Sequence, residues 1–210
     1  KRQLHTHTNA SDGTDTPSEL VENARKAGLA AVAITDHDTL SGLAEGEEAA
    51  QRMGGIEFVR GVEVSTGTDQ GEMHIVGLWV PKDCEPLENA LAAMRSKRGE
   101  RNQRILEKLA TLGIHLDMED VLHEAGGESV GRPHIARALV TKGYVKTITE
   151  AFDKYLGATG KAYLAKEVMD PEEAVRVMSG IGCSVFIAHP MLKPYPPGCI
   201  DEFVKRLSSY

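Results

Sequence analysis

LAAVAITDHD, residues 29–38, is the stretch whose pattern decides the fold. Residues 29–35 are a short, unbroken apolar run, the pattern of a strand buried on both faces. The run ends in Asp36-His37-Asp38, so a buried strand delivers two carboxylates and an imidazole at its carboxyl end. Working outward, Thr16-Pro-Ser-Glu19 is a capping box with proline at the first helical position, and Leu20, Val21, Ala24 and Ala27 form a helical face stopped by Gly28. Downstream, a second helix is expected over residues 43–53, stopped by Gly54-Gly55, followed by the strand IEFVRGVEV over residues 56–64. Strand, helix, strand, helix, strand in this order implies parallel pairing with right-handed crossovers.

The chain opens with LHTHTNASDG, residues 4–13. Imidazoles at alternate positions face the same way only on an extended backbone, so a strand over residues 1–6 would put His5 and His7 on one face. Asp12 would follow on the turn marked by Ser11, Asp12 and Gly13. After residue 64 a polar turn over residues 66–72 leads to the strand MHIVGLWV, residues 73–80. From residue 81 the texture changes to a long helix with Leu87, Leu91, Met94, Ile105, Leu109 and Leu112 at core spacing and Arg95, Lys97, Arg98, Arg101 and Arg104 between them. The expected organisation is a barrel portion over 1–81, a helical insertion over 82–165 and resumed barrel over 166–210. The last part contains a helix at about 171–181 and the strand SVFIA, residues 184–188, closed by His189-Pro190.

Functional groups of parallel α/β folds gather at the carboxyl ends of strands. His5, His7, His37, Glu63 and His189 all fall at such ends, and His74 lies just inside the strand that follows Glu63. Each has a bland alternative: Asp36 and Asp38 as loop or capping residues, His74 as a packed strand histidine. His115 and His123, away from any strand end, are expected to be surface or packing residues. The clustering carries the functional expectation. All donors are nitrogen and oxygen, which suits Mn²⁺, Zn²⁺ or Fe²⁺ rather than a thiolate centre. The donor count exceeds the need of one four-coordinate ion, so two or three ions are expected. Such sites activate water and clamp the attacking and leaving oxygens of a phosphate ester.

Composition is that of an ordinary globular chain, 41% hydrophobic and 26% charged over 210 residues, with no apolar run of membrane-spanning length. The three cysteines, Cys84, Cys183 and Cys199, are scattered, which argues against a thiolate metal site or a disulfide framework and makes a reducing cytoplasm the expectation. A net charge of −7 argues against a broad duplex-DNA binder. Phosphate substrates remain compatible, because bound divalent cations reverse the local field.

His5-Thr-His7, Thr35-Asp-His-Asp38, Gly61-Val-Glu63 with His74-Ile-Val-Gly77, and Ala188-His-Pro190 together resemble the successive metal motifs of the polymerase and histidinol phosphatase (PHP) superfamily. Gly131-Arg-Pro-His-Ile-Ala-Arg137 and Gly160-Lys-Ala-Tyr-Leu164 resemble its bacterial branch of nucleotide 3′,5′-bisphosphate phosphatases and 5′-to-3′ exoribonucleases. The resemblance implies an α/β fold, a distorted (β/α)7 PHP barrel with a helical insertion. It implies His5, His7, Asp12, His37, Glu63, His74 and His189 as metal ligands, for two or three Mn²⁺ ions with Zn²⁺, Fe²⁺ or Mg²⁺ as alternatives. His189 or Asp36 would assist proton transfer. Arg132, His134 and Lys161 would hold phosphate of a small nucleotide or the 5′ end of a short RNA. Arginine offers a planar fork to phosphate and lysine a mobile point charge. Histidinol-phosphate phosphatase and a non-catalytic metal-binding module are the alternatives. The superfamily's last motif, an Asp and a His at a strand end, has no counterpart, since no histidine follows Pro190. The expectation is therefore either a fragment with an incomplete barrel or a short form with an open metal edge.

Overall fold

Among the described residues, five strands form one sheet in the order β1-β2-β3-β4-β5: β1 Arg2–Gln3, β2 Ala31–Ile34, β3 Glu57–Thr68, β4 Gly71–Leu78 and β5 Ser184–Ile187. They are seen in a computed structural model of the chain, which describes residues 1–68, 71–125, 130–165, 168–192 and 195–210. β1, β2 and β3 pair in parallel, joined by α1 Pro17–Lys26 and α2 Leu43–Met53. The capping box of α1 forms as its sequence dictates: the Thr16 hydroxyl accepts from the Glu19 amide at 3.2 Å, and the Glu19 carboxylate accepts from the Thr16 amide at 2.8 Å.

β4 pairs antiparallel with β3, and β5 antiparallel with β4, so the α/β sheet is mixed. The polar turn expected over 66–72 is narrower than that. The ladder runs on to Thr68 opposite Gly71, with Thr66 and Thr68 held in the extended form that suits β-branched residues, and positions 69–70 lie outside the described residues. The strand senses have a direct consequence. β5 runs the same way as β3, and β4 begins where β3 ends. The carboxyl ends of β1, β2, β3 and β5 and the amino end of β4 therefore share one edge.

The two faces of the sheet bury different layers. On one, Val21, Ala24, Ala49 and Ala50 of α1 and α2 pack on Val32 and Phe58. Gly46 permits the close approach of α2, since a Cβ there would lie 2.6 Å from Ile34 Cδ1. The other face carries Leu4, Ala33, Val59, Val76, Leu78 and Ala188 as one apolar cluster. Side chains alternate along a strand, so the next same-face positions toward the shared edge are Gly61 and Glu63 on β3 and His74 on β4. An apolar floor thus ends in a polar rim.

The chain divides into two compact units, Lys1–Ala92 with Val168–Tyr210, and Ala93–Glu167. The division falls inside α3, Glu85–Thr111, rather than at residue 82. The first unit also contains α7 Pro171–Gly180 and α8 Cys199–Leu207. The second is helical, with α4 Met118–His123, α5 Arg132–Thr141 and α6 Ile148–Ala151, the last continuing as one π turn over Phe152–Leu156. Its own core includes Ile105, Leu109, Val121, Ile135, Leu139 and Leu156.

Candidate metal centre

Six residues from all five strand neighbourhoods meet at the shared edge. The β1 ladder is only Arg2–Gln3, shorter than the strand expected over 1–6. The Thr35 amide still donates to the Thr6 carbonyl at 2.8 Å, so the extended path continues and His5 and His7 point together, ring centroids 5.2 Å apart. His37 follows β2 and bridges to Glu63 of β3. His74 sits opposite Ser65 near the start of β4, and His189 follows β5. His189 has φ 31°, a left-handed backbone costly for a residue with a Cβ and frequent at functional sites.

The side chain of Glu63 is fully buried, and five imidazoles close around it. Its Oε2 lies 2.9 Å from His5 Nε2, 3.1 Å from His7 Nε2 and 3.5 Å from His37 Nε2. Its Oε1 lies 3.1 Å from His74 Nδ1 and 2.8 Å from His189 Nε2. The rings themselves form a closed circuit, 5 to 7 to 37 to 74 to 189 and back to 5, with neighbouring centroids 4.7–5.6 Å apart. A carboxylate offers about four lone-pair sites, so five nitrogens cannot all be satisfied by hydrogen bonding to it. Asp12, whose side chain is 48% exposed, stands on the open side with Oδ1 3.6 Å from His7 Nδ1 and Oδ2 3.8 Å from His37 Nε2. Those spacings are too long for hydrogen bonds. The Asp12–His37 spacing suits donors sharing a cation, since two ligands each ~2.1 Å from one tetrahedral ion lie ~3.4 Å apart. The buried Nδ1 atoms of His7 and His37 have no hydrogen-bond partner among the described residues. Three donor groups result: His5, Glu63 and His189; His7, Asp12 and His37; His37, Glu63 and His74. The residues fit divalent ions.

Electrostatics agree. Burial opposes ionisation of Glu63, but hydrogen bonds from His5, His7 and His74 outweigh it and hold the carboxyl well below the usual range. Burial drives the His37 imidazole down to about 4, so it is neutral and its lone pair is free to ligate at neutral pH. Burial also penalises charge on His74, yet Glu63 and Glu72 lift it to about 9. His7 is raised because Glu63 and Asp12 overcome the same penalty.

Asp36 is placed differently from the proton-transfer role expected of it. It is 1% exposed, and both its oxygens are taken: Oδ1 accepts from the Thr8 amide at 2.7 Å and the Ser11 hydroxyl at 2.6 Å, Oδ2 from the Thr8 hydroxyl at 2.6 Å. It ties down the loop that carries His7 and Asp12. Gly13 completes that loop, because a Cβ there would lie 2.4 Å from the His7 carbonyl oxygen. Asp38, in the left-handed region at φ 55°, is a stitch rather than a helix cap, its carboxylate accepting from the Ser65 amide at 2.7 Å.

In the helical unit, Arg132 opens α5, donates from Nη1 to the Leu156 carbonyl at 3.1 Å and lies over the Tyr163 ring at 5.5 Å. His134 is 2% exposed and its Nδ1 accepts from the Gly131 amide at 3.0 Å, so that nitrogen serves the start of α5 instead of a phosphate. Lys161 is exposed in a turn. His115 and His123 are exposed, as expected of surface residues. Glu72 is the residue the sequence reading missed: its Oε1 lies 3.5 Å from His74 Nε2. Its spacing of two from His74 on one strand was the available signal.

A mixed, curled α/β sheet whose shared edge closes five imidazoles on one buried glutamate defines a candidate metal-binding centre of the metal-dependent phosphoesterase type. The chain belongs to the PHP domain family, which it matches over residues 3–176. It is 38% identical over 191 residues to the 5′-3′ exoribonuclease of Haemophilus influenzae, covering 91% of this chain and 69% of that protein. It is also 38% identical over 192 residues to the 3′,5′-nucleoside bisphosphate phosphatase of Chromobacterium violaceum, covering 89% and 66%. A solved C. violaceum structure, called an amidohydrolase with bound sulfate and no metal, superposes with TM-score 0.88 at 33% identity, covering 99% of this chain and 73% of that one. The chain spans about two thirds of the length of the curated relatives it matches.

Proposed function

We propose that this protein is a metal-dependent phosphoesterase that hydrolyses phosphate from nucleotide 3′,5′-bisphosphates or from the 5′ end of short RNA. The observation that carries it is the closed circuit of five imidazoles on the Glu63 carboxylate, with Asp12 on the open side. Bound divalent ions supply an activated water and neutralise charge on a phosphoryl group. His5, His7, Asp12, His37, Glu63, His74 and His189 hold them; His189, with Nε2 at Glu63, is assigned to the ligands rather than to proton transfer. Asp36 fixes the loop bearing His7 and Asp12. Arg132 and Lys161 are assigned to substrate phosphate, and His134 to holding the start of α5 behind Arg132. The two curated relatives support the substrate class, and the sulfate in the solved relative is an oxyanion of phosphate shape.

Two or three Mn²⁺ ions are the assigned complement, since the donors are nitrogen and oxygen only. The acidic balance of the chain supports nucleotides and short single strands over duplex DNA. Three free, buried cysteines support a reducing compartment such as the cytoplasm. The test is phosphate release in Mn²⁺, before and after chelation, from a nucleoside 3′,5′-bisphosphate, a 5′-phosphorylated short RNA and histidinol phosphate side by side. Metal-dependent turnover of the first two is expected. Preference for histidinol phosphate would reassign the substrate, and metal binding with no turnover on any ester would make the domain a binding module.

A further inference from the structure

Four of the five imidazoles present Nε2 to Glu63, and His74 alone presents Nδ1, at 3.1 Å. A carboxylate lies two residues earlier on the same strand. Glu72 and His74 share a face of β4, and Glu72 Oε1 stands 3.5 Å from His74 Nε2, on the side of the ring away from Glu63. The backbone of Glu72 is itself anchored, because the Tyr195 hydroxyl donates to its carbonyl at 3.0 Å. Opposite Glu72 stands Gly67, whose missing Cβ leaves room for Val168 Cγ2.

We infer that Glu72 is a positioning residue for the metal centre: it holds the Nε2–H of His74, so that His74 ligates through Nδ1 while the other four histidines ligate through Nε2. A carboxylate on the non-ligating N–H fixes both the tautomer and the ring orientation of a metal-bound histidine. The mixed set follows from strand geometry. His74 enters from the amino end of an antiparallel strand, whereas the other histidines follow the carboxyl ends of theirs, so its ring meets the cage from the opposite direction.

The inference rests on the metal-centre assignment, and the experiment separates the two. The full chain, labelled with ¹⁵N-histidine and loaded with Zn²⁺ as a diamagnetic ion, is examined by long-range ¹H–¹⁵N correlation, with His74 identified by its loss in His74→Gln. The expected spectrum has His74 metal-bound at Nδ1 and protonated at Nε2. Glu72→Ala is expected to mix or reverse this pattern and to weaken metal binding by about 10–100-fold. Glu72→Gln, whose amide oxygen can still accept from Nε2–H, is expected to restore the wild-type pattern. Glu72 is only partly buried, so both variants are expected to fold. Zinc on the other histidines with His74 bound through Nε2, or an unchanged His74 pattern and affinity in Glu72→Ala, would overturn the inference alone. No zinc-induced shift at any histidine would overturn the metal centre itself.

Discussion

His37 belongs to two of the three donor groups and is the imidazole that burial keeps neutral, so its one ring lone pair is available to a cation at neutral pH. His37→Ala is therefore expected to lower metal content by at least one ion per chain and to lower phosphate release in parallel, measured by elemental analysis beside turnover. Full metal content with lost activity would move His37 from ligand to another role. Arg132→Ala touches the other unit and is expected to leave metal content intact while raising KM several-fold for the bisphosphate. An unchanged KM would remove Arg132 from substrate binding. At this scale the sequence was largely sufficient. The five histidines and Glu63 lie at one edge because they stand in or follow strands that meet there, and Asp12 joins them from the loop after His7. The hydrogen bonds of Asp36 were not legible, because its neighbours Thr8 and Ser11 belong to a loop whose path back onto β2 is a tertiary property.

Elements hold these residues at fixed separations. The loop of residues 7–13 contributes two ligands, His7 and Asp12, with no ladder of its own beyond β1, and Asp36 supplies the missing constraint through three short hydrogen bonds. Asp36→Ala leaves buried Thr8 and Ser11 donors unsatisfied, each costing roughly 1–3 kcal/mol. A destabilisation of about 3 kcal/mol in denaturant unfolding is expected, together with weaker metal binding on the Asp12 side. An unchanged unfolding midpoint would show that the loop is held otherwise. The helices and the three parallel strands were legible from capping and apolar runs. The reversal at β4 was not, because an apolar run of strand length does not carry its own direction. That reversal brings His74 to the edge it shares with the carboxyl ends. It also places Glu72 behind the His74 ring, a pair whose spacing of two on one strand marks a shared face but not the ring it meets.

The molecule as a whole couples cation binding to protonation and to stability. His74, lifted to about 9, carries a proton at neutral pH that a cation must displace. The sign follows: below pH 9 the proton competes, so apparent Mn²⁺ affinity is expected to rise from pH 7 to 8.5 by up to about tenfold per unit for each displaced proton, read by calorimetry in buffers of different ionisation enthalpy. An affinity flat across that range would contradict a protonated ligand. Binding to the folded state alone also stabilises it, by about 2.7 kcal/mol at a hundredfold excess over Kd, so chelation is expected to lower Tm. The central claim, that the five imidazoles and Glu63 form one cage for several cations, is tested most directly by anomalous diffraction from crystals soaked in Mn²⁺. At least two manganese peaks are expected inside the ring of His5, His7, His37, His74 and His189, each in contact with Glu63. Manganese bound elsewhere, with the five imidazoles left on the glutamate alone, would contradict it.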